Sequence, residues 1–118
     1  NLLRQVFINL IQNALEAIPE GGVIRIISKI SPDYQLARIN GLEHHIPIIR
    51  IQIADTGVGI PKDKIKYLFT PFFTTKPKGS GLGLAICQEI IRQHEGRIKI
   101  ESIEGEGTTV SILLPLRQ

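Results

Sequence analysis

Two glycine-bearing segments limit where this chain can be strand and where it must be helix. Asp55-Thr56-Gly57-Val58-Gly59-Ile60 follows directly on the isoleucine-rich run of residues 46–54. Gly79-Ser80-Gly81-Leu82-Gly83-Leu84 runs without a break into a segment with apolar residues at helical spacing. Glycine admits positive φ and lets another group approach the backbone closely. The first segment therefore reads as a turn at the end of a strand, the second as a turn that opens a helix. A fold that satisfies both combines the two kinds of secondary structure in layers.

Periodicity around these anchors supplies the other elements. Leu3, Val6, Phe7, Leu10, Ala14 and Ile18 recur at spacings of three and four. They predict an amphipathic helix over 2–18, with Asn1 as its N-cap and Pro19 at its end. Glu20-Gly21-Gly22 reads as a turn and 23–30 as a strand. Residues 31–45, with Pro32, Asp33, Asn40, Gly41 and the pair His44-His45, read as a hairpin connection with frayed strand ends. In the strand 46–54, Arg50 and Gln52 alternate with isoleucine, which suggests one buried and one wetter face. Pro61 opens a short helix through Phe69, 70–81 is a loop, and 84–93 is a third helix stopped by Gly96. Strands 97–103 and 108–114 are joined by Glu104-Gly105-Glu106-Gly107 as a hairpin.

Four strands and three helices in mixed order predict an α+β layer fold, one domain over 1–118. The 118 residues are 42% apolar and 21% charged, a globular balance. Tryptophan is absent and aromatics make up 5%, so the core must be aliphatic. The formal charge is +3, with Lys and Arg scattered apart from 62–78; this lacks the clustered basic and aromatic pattern of a nucleic-acid surface. Cys87 is the single cysteine, which excludes an intrachain disulfide and suggests a packed small residue. No apolar run approaches the ~20 residues of a membrane span, and the start has no signal-peptide pattern. A cytoplasmic piece without direct membrane contact is expected, whether or not its parent protein is anchored.

Three groups of residues carry chemistry. Asn9 and Asn13 lie roughly 40° apart around the first helix, and Glu16 falls within about 20° of Asn9. Amide oxygens with a carboxylate suit Mg²⁺, a hard cation that keeps several waters; the same stripe also reads as a solvated polar face. Asp55 at a strand's end can accept a hydrogen bond from an exocyclic amine such as that of adenine, or simply close a turn. The glycines of 79–83 lead into a helix N-terminus, whose unpaired N–H groups and positive dipole end favour phosphate. This string has the G-x-G-x-x-G spacing only imperfectly and lacks the βαβ context of a dinucleotide fold; it also lacks the G-K-[ST] of a P-loop. Lys76 and Lys78 just before it are candidates for a basic lid, or for plain solvated charge.

Taken in order, these residues resemble the nucleotide-binding domain of two-component sensor histidine kinases, in the superfamily shared with DNA gyrase, Hsp90 and MutL. The matching motifs are Q-V-F-I-N-L-I-Q-N-A-L-E-A (5–17), D-T-G-V-G-I (55–60), L-F-T-P-F-F-T-T-K (68–76), G-S-G-L-G-L-A-I (79–86), H-E-G-R-I (94–98) and G-E-G-T-T-V (105–110). The run F-F-T-T-K-P-K-G-S-G-L-G-L is most similar to the nitrogen-regulation-type subgroup, which has a short lid.

The resemblance implies the Bergerat fold, a two-layer α/β sandwich. Its mixed, largely antiparallel sheet is covered on one face by about three helices, with ATP held between helices and sheet. It implies that Asn13 coordinates Mg²⁺ and that Asn9 supports the metal or the phosphates. Asp55 would bind the adenine amino group, with Gly57, Gly59 and Ile60 beside it. Gly79, Ser80, Gly81, Leu82, Gly83 and Leu84 would cradle the phosphates, and Thr108 or Thr109 would lie near the adenine. Phe72 and Phe73 would anchor the lid. Asn9 and Lys76 are the expected catalytic pair, and Lys76 or Lys78 would bring charge to the phosphates. The implied activity is transfer of the γ-phosphoryl group of Mg-ATP to a histidine on a separate phosphoacceptor and dimerisation domain, with a response regulator downstream. A superfamily ATPase, a serine-directed kinase and a non-catalytic nucleotide-binding module are the alternatives.

The chain departs from the superfamily in four places. Gyrase, Hsp90 and MutL carry a water-activating glutamate where this chain has Asn9, and an amide is no useful general base at neutral pH. This favours transfer over hydrolysis. Glu16 stands where many sensor kinases have a basic residue. No strand precedes the first helix, so the amino-terminal edge reads as trimmed. No phosphoacceptor segment is present: His44 and His45 fall in the hairpin, and His94 closes a helix within the family's own pattern.

Overall fold

The computed structural model describes residues 2–18, 20–39, 41–74 and 79–116. The elements are α1 (Leu2–Ala17), β1 (Ile24–Ile39), β2 (Leu42–Asp55), α2 (Lys62–Ile65), α3 (Gly83–Gln93), β3 (Arg97–Ile103) and β4 (Gly107–Pro115). The stripe Val6, Leu10, Ala14 is the buried side of α1, and Cys87, Ile90 and Ile91 are the buried side of α3. Both stripes meet Ile53, Ile98 and Ile112 of the sheet in one cluster. Fully burying each large aliphatic side chain contributes about 1.5–3 kcal/mol before entropy is counted, so this cluster holds the two layers together.

The strands lie in the order β1-β2-β4-β3, and each pairing is antiparallel. The two-layer sandwich is as expected, but the mixed sheet is not: among the described strands it is antiparallel throughout. The cause is local, since the β1–β2 and β3–β4 pairs are both hairpins. Side chains alternate between faces, so the register sets out the helix-facing rows. They read Ile51–Ile112–Ile98, then Ile53–Val110–Ile100, then Asp55–Thr108–Ser102. Two apolar rows thus give way to a polar one at the rim of the sandwich.

Three local expectations change. Residues 31–39 and 42–45 are strand rather than connection: β1 and β2 stay paired out to Ile39 and Leu42. Pro32 and Asp33 do not end β1 because they fall in the register shift between Ser31 and Tyr34, where a missing N–H breaks no ladder bond. The helix after Pro61 lasts one turn, to Ile65. Beyond it the chain tightens into i→i+3 bonds, Tyr67 N–H to Lys64 C=O and Leu68 N–H to Ile65 C=O. The left-handed residue that ends α3 is Glu95 (φ 62°), not Gly96. Gly96 is needed for packing, since a Cβ there would lie 2.5 Å from the Leu113 carbonyl oxygen.

Cys87 is a packed residue as expected: it is 2% exposed, and desolvation pushes its thiol up to about 11. Among the described residues no helix is long and apolar enough to cross a membrane.

Candidate functional site

The polar row at the sheet rim builds one corner of the site. Asp55 Oδ1 accepts the Gly57 N–H at 2.8 Å and the Thr108 N–H at 3.3 Å. These two bonds fix the carboxylate plane, and no described donor reaches Oδ2. Thr56 ties the turn to the start of β1: its hydroxyl accepts the Val23 N–H at 2.9 Å, and its own N–H donates to the Val23 carbonyl at 3.1 Å. Gly57 lies against the end of α1, where a Cβ would stand 2.4 Å from the Ala17 carbonyl oxygen. That carbonyl accepts the Val58 N–H at 3.0 Å. The first glycine segment is therefore docked on the C-terminal end of α1.

The second glycine segment meets the same helix further back. A Cβ on Gly83 would lie 2.9 Å from Asn9 Nδ2, so the Asn9 amide sits on the first residue of α3. Asn13 Nδ2 donates to Asn9 Oδ1 at 3.2 Å, which orients the two amides together; both residues are half-buried. Leu82, the residue before α3, makes no side-chain cap, so the positive end of the helix dipole and its first-turn N–H groups face this place. α1 sets the spacing of the whole arrangement. Asn9 marks the α3 end and Ala17 the Asp55 end, about 12 Å apart at 1.5 Å per residue.

The other expected residues divide between this surface and elsewhere. Gly81 packs on the phenylalanine segment: a Cβ there would lie 2.2 Å from the Phe72 carbonyl carbon, and the Phe72 N–H donates to the Gly81 carbonyl at 2.8 Å. Phe72 holds the segment through its backbone, since its side chain is 74% exposed. The Phe73 ring does pack, 5.7 Å from the ring of Tyr67. Gly79 and Ser80 are exposed, Leu82 and Leu84 half-buried. The Ser80 hydroxyl accepts the Leu82 N–H at 3.2 Å. Gly59 backs onto the Ile103 carbonyl, and Ile60 donates its N–H to Ser102 Oγ at 2.8 Å. Thr108 stands in the row of Asp55, but Thr109 pairs with Ala54 and Glu101 and so points to the opposite sheet face. Lys76 and Lys78 lie outside the described residues.

Among the described residues, no group of three or more His, Cys, Asp or Glu forms a metal cage. A divalent ion here would take amide oxygens from the protein, which suits a hard cation that keeps waters and phosphate oxygens as its other ligands. A cleft of ≈ 550 Å³ opens outside the β3 edge, between Ile60, Ile65, Ser102 and Ile103. Neither Asn9 nor Asp55 lines it.

The family model described as histidine kinase-, DNA gyrase B- and HSP90-like ATPase matches residues 1–118. The chain belongs to this family. Among its relatives, sporulation kinase C of Bacillus subtilis (strain 168) is 40% identical over 99% of this ATPase domain. Sensor histidine kinase ZraS of Salmonella typhimurium (strain LT2) is 44% identical over 97%. The domain spans 24% of the first of those proteins and 22% of the second. The nucleotide-free catalytic domain of histidine kinase ThkA superposes with a TM-score of 0.74 at 36% identity, over 97% of this chain and 66% of that one. The mycobacterial sensor histidine kinase MprB gives 0.77 at 27% identity, over 97% and 70%. The protein is thus a histidine-kinase-type catalytic domain, and nucleotide binding comes with the family.

Sequence reasoning missed one residue of this ATPase domain's polar rim. Ser102 Oγ accepts the Ile60 N–H, donates to the Gly107 carbonyl at 3.0 Å and meets Thr108 Oγ1 at 2.8 Å. A signal was present: Ser102 continues the alternating inward positions Ile98 and Ile100 of β3 as the one polar residue. Three glycines of the two segments also have a cause that sequence could not name. Gly57, Gly59 and Gly81 are each pressed against backbone atoms, so close packing of the protein on itself already requires them, while Gly83 meets the movable end of the Asn9 side chain.

Proposed function

We propose that this domain binds Mg-ATP across the α1 surface and supplies its γ-phosphoryl group to a histidine on a separate phosphoacceptor domain of the parent kinase. The observation that carries the reading is the double docking of α1, with Ala17 against Gly57 and Asn9 against Gly83. It puts an acceptor corner at one end and a helix N-terminus with paired amides at the other. The acceptor corner suits a 6-amino purine, through Asp55 Oδ2 and the Thr108 hydroxyl. The opposite end suits phosphate, through the first turn of α3 and the Asn9 and Asn13 amides. Asn13 and Asn9 are the residues that would hold Mg²⁺, which when bound supplies positive charge to the phosphate oxygens.

Asn9 bears on the reaction as well as on binding. Its amide cannot take a proton from water at neutral pH, so nothing at that position activates hydrolysis. The chain's own contribution is positioning and charge stabilisation, the main terms in phosphoryl transfer. The acceptor imidazole is its own nucleophile. Lys76 and Lys78 are proposed to bring further positive charge, and a response regulator is the proposed downstream recipient. The test is radiolabel transfer from ATP to the parent kinase's helical phosphoacceptor domain, supplied in trans. Acid-labile phosphohistidine is expected; ATP binding without it would remove the transfer reading.

A further inference from the structure

Ser102 stands outside every motif, yet its hydroxyl makes three contacts, and their directions can be worked out by counting protons. A serine hydroxyl has one proton and two lone pairs. The Gly107 carbonyl can only accept, so Ser102 spends its proton there, at 3.0 Å. The Ile60 N–H can only donate, and it fills one lone pair at 2.8 Å. The contact with Thr108 Oγ1 at 2.8 Å is then a hydrogen bond from Thr108 to Ser102. The Thr108 proton is committed, and only the lone pairs of Oγ1 remain for a ligand. Asp55 is held alike: Oδ1 is engaged by Gly57 and Thr108 N–H groups, which leaves Oδ2, also an acceptor.

We infer that Ser102 is a positioning residue that sets base selectivity by holding the Thr108 hydroxyl in its acceptor orientation. The corner then offers acceptors alone to the 6-position of a purine. A 6-amino group is welcome there, while a 6-oxo group meets lone pairs. A hydroxyl free to rotate would turn its proton toward the 6-oxo group and blunt the distinction. Ser102 withholds that option by accepting the hydrogen bond from the Thr108 hydroxyl. The inference rests on the reading of the Asp55 corner as the purine site.

The experiment is calorimetric titration of the 118-residue chain with ADP and with IDP, whose base carries oxygen in place of the 6-amino group. Wild type is expected to prefer ADP. Ser102→Ala frees the Thr108 proton and is expected to narrow the ADP:IDP affinity ratio about fivefold, the worth of one neutral hydrogen bond. Ser102→Thr keeps the hydroxyl and is expected to hold the wild-type ratio. In a Thr108→Val background, Ser102→Ala is expected to leave the ratio where it stands. If Ser102→Ala weakens both nucleotides by the same factor, Ser102 is structural support only and the inference falls. A ratio lost in Asp55→Asn but intact in Ser102→Ala overturns the inference and leaves the purine site standing. No preference in wild type overturns both. Should Ser102→Ala not fold, Ser102→Cys, whose sulfur is a weak acceptor, carries the same comparison.

Discussion

Gly83→Ala separates binding from stability at a single position. The added Cβ would meet Asn9 Nδ2 at 2.9 Å, Oδ1 at 3.2 Å and Cγ at 3.5 Å. These atoms are the end of a side chain, so the amide must give way by about 0.5 Å to restore an ordinary 3.4 Å contact. The shift strains the 3.2 Å bond from Asn13, a loss of about 1 kcal/mol if the bond breaks. Against this, alanine is better than glycine in a helix by up to about 1 kcal/mol, and less at a first position. The two terms offset, so stability should change by less than about 1 kcal/mol. Nucleotide binding has no such compensation. Both amides leave their places and a methyl group stands at the N-terminus of α3. ADP affinity should fall about tenfold or more, equivalent to about 1.4 kcal/mol from lost polar contacts. Urea denaturation and calorimetric titration on the same preparation read the two effects. Unchanged ADP affinity would show that the Asn9–Gly83 contact is not part of the nucleotide site. A stability loss above about 3 kcal/mol would show that the collision is with the framework and not with a yielding side chain.

Other substitutions test the remaining links. Gly57→Ala drives a Cβ into the Ala17 carbonyl at 2.4 Å and should cost about 2–4 kcal/mol in urea denaturation, because backbone must move and the Val58–Ala17 bond is lost; a loss under 1 kcal/mol would refute the docking of this turn on α1. Asp55→Asn should weaken ADP binding and reduce its advantage over IDP, and unchanged selectivity would remove Asp55 as the base reader. Asn13→Asp should alter the Mg²⁺ dependence of ATP binding, whereas a wild-type magnesium titration would take Asn13 out of the metal site. Cys87 yields a pH prediction. Its folded value of about 11 lies above the ordinary 9.0, so its contribution is complete below pH 9 and is lost as pH rises toward 11. Between these values the unfolded chain binds fewer protons, and stability falls by up to about 2–3 kcal/mol. Cys87→Ala should flatten that part of the stability–pH curve, and an unaltered slope would assign it to other groups.

Most of the element order was legible in the sequence, because amphipathic period and glycine turns are local properties. The stripe Val6–Leu10–Ala14 announces α1 and its buried side, and alternating isoleucines announce β2 and β3. The ordered motifs were enough to identify the family, since each is a short string. The long β1–β2 hairpin was not legible. Pro32 and Asp33 read as breakers, and only strand pairing shows that they fall in a register shift. The shortness of α2 and the left-handed Glu95 likewise depend on what each segment packs against.

The candidate site divides along the same line. Sequence alone determined that Asn9 and Asn13 share a helix flank, that Asp55 ends a strand, and that glycines precede the third helix. Each of these follows from spacing within one element. Tertiary structure decided that α1 bridges the two glycine segments, with Ala17 at Gly57 and Asn9 at Gly83. It also chose Thr108 over Thr109, because strand register places only Thr108 in the row of Asp55. Ser102 entered by the same route, through pairing with Thr108 in β4. Register and helix docking are relations between segments far apart in the chain, fixed by the packing of the shared core. The spacing of residues within one segment carries no record of them.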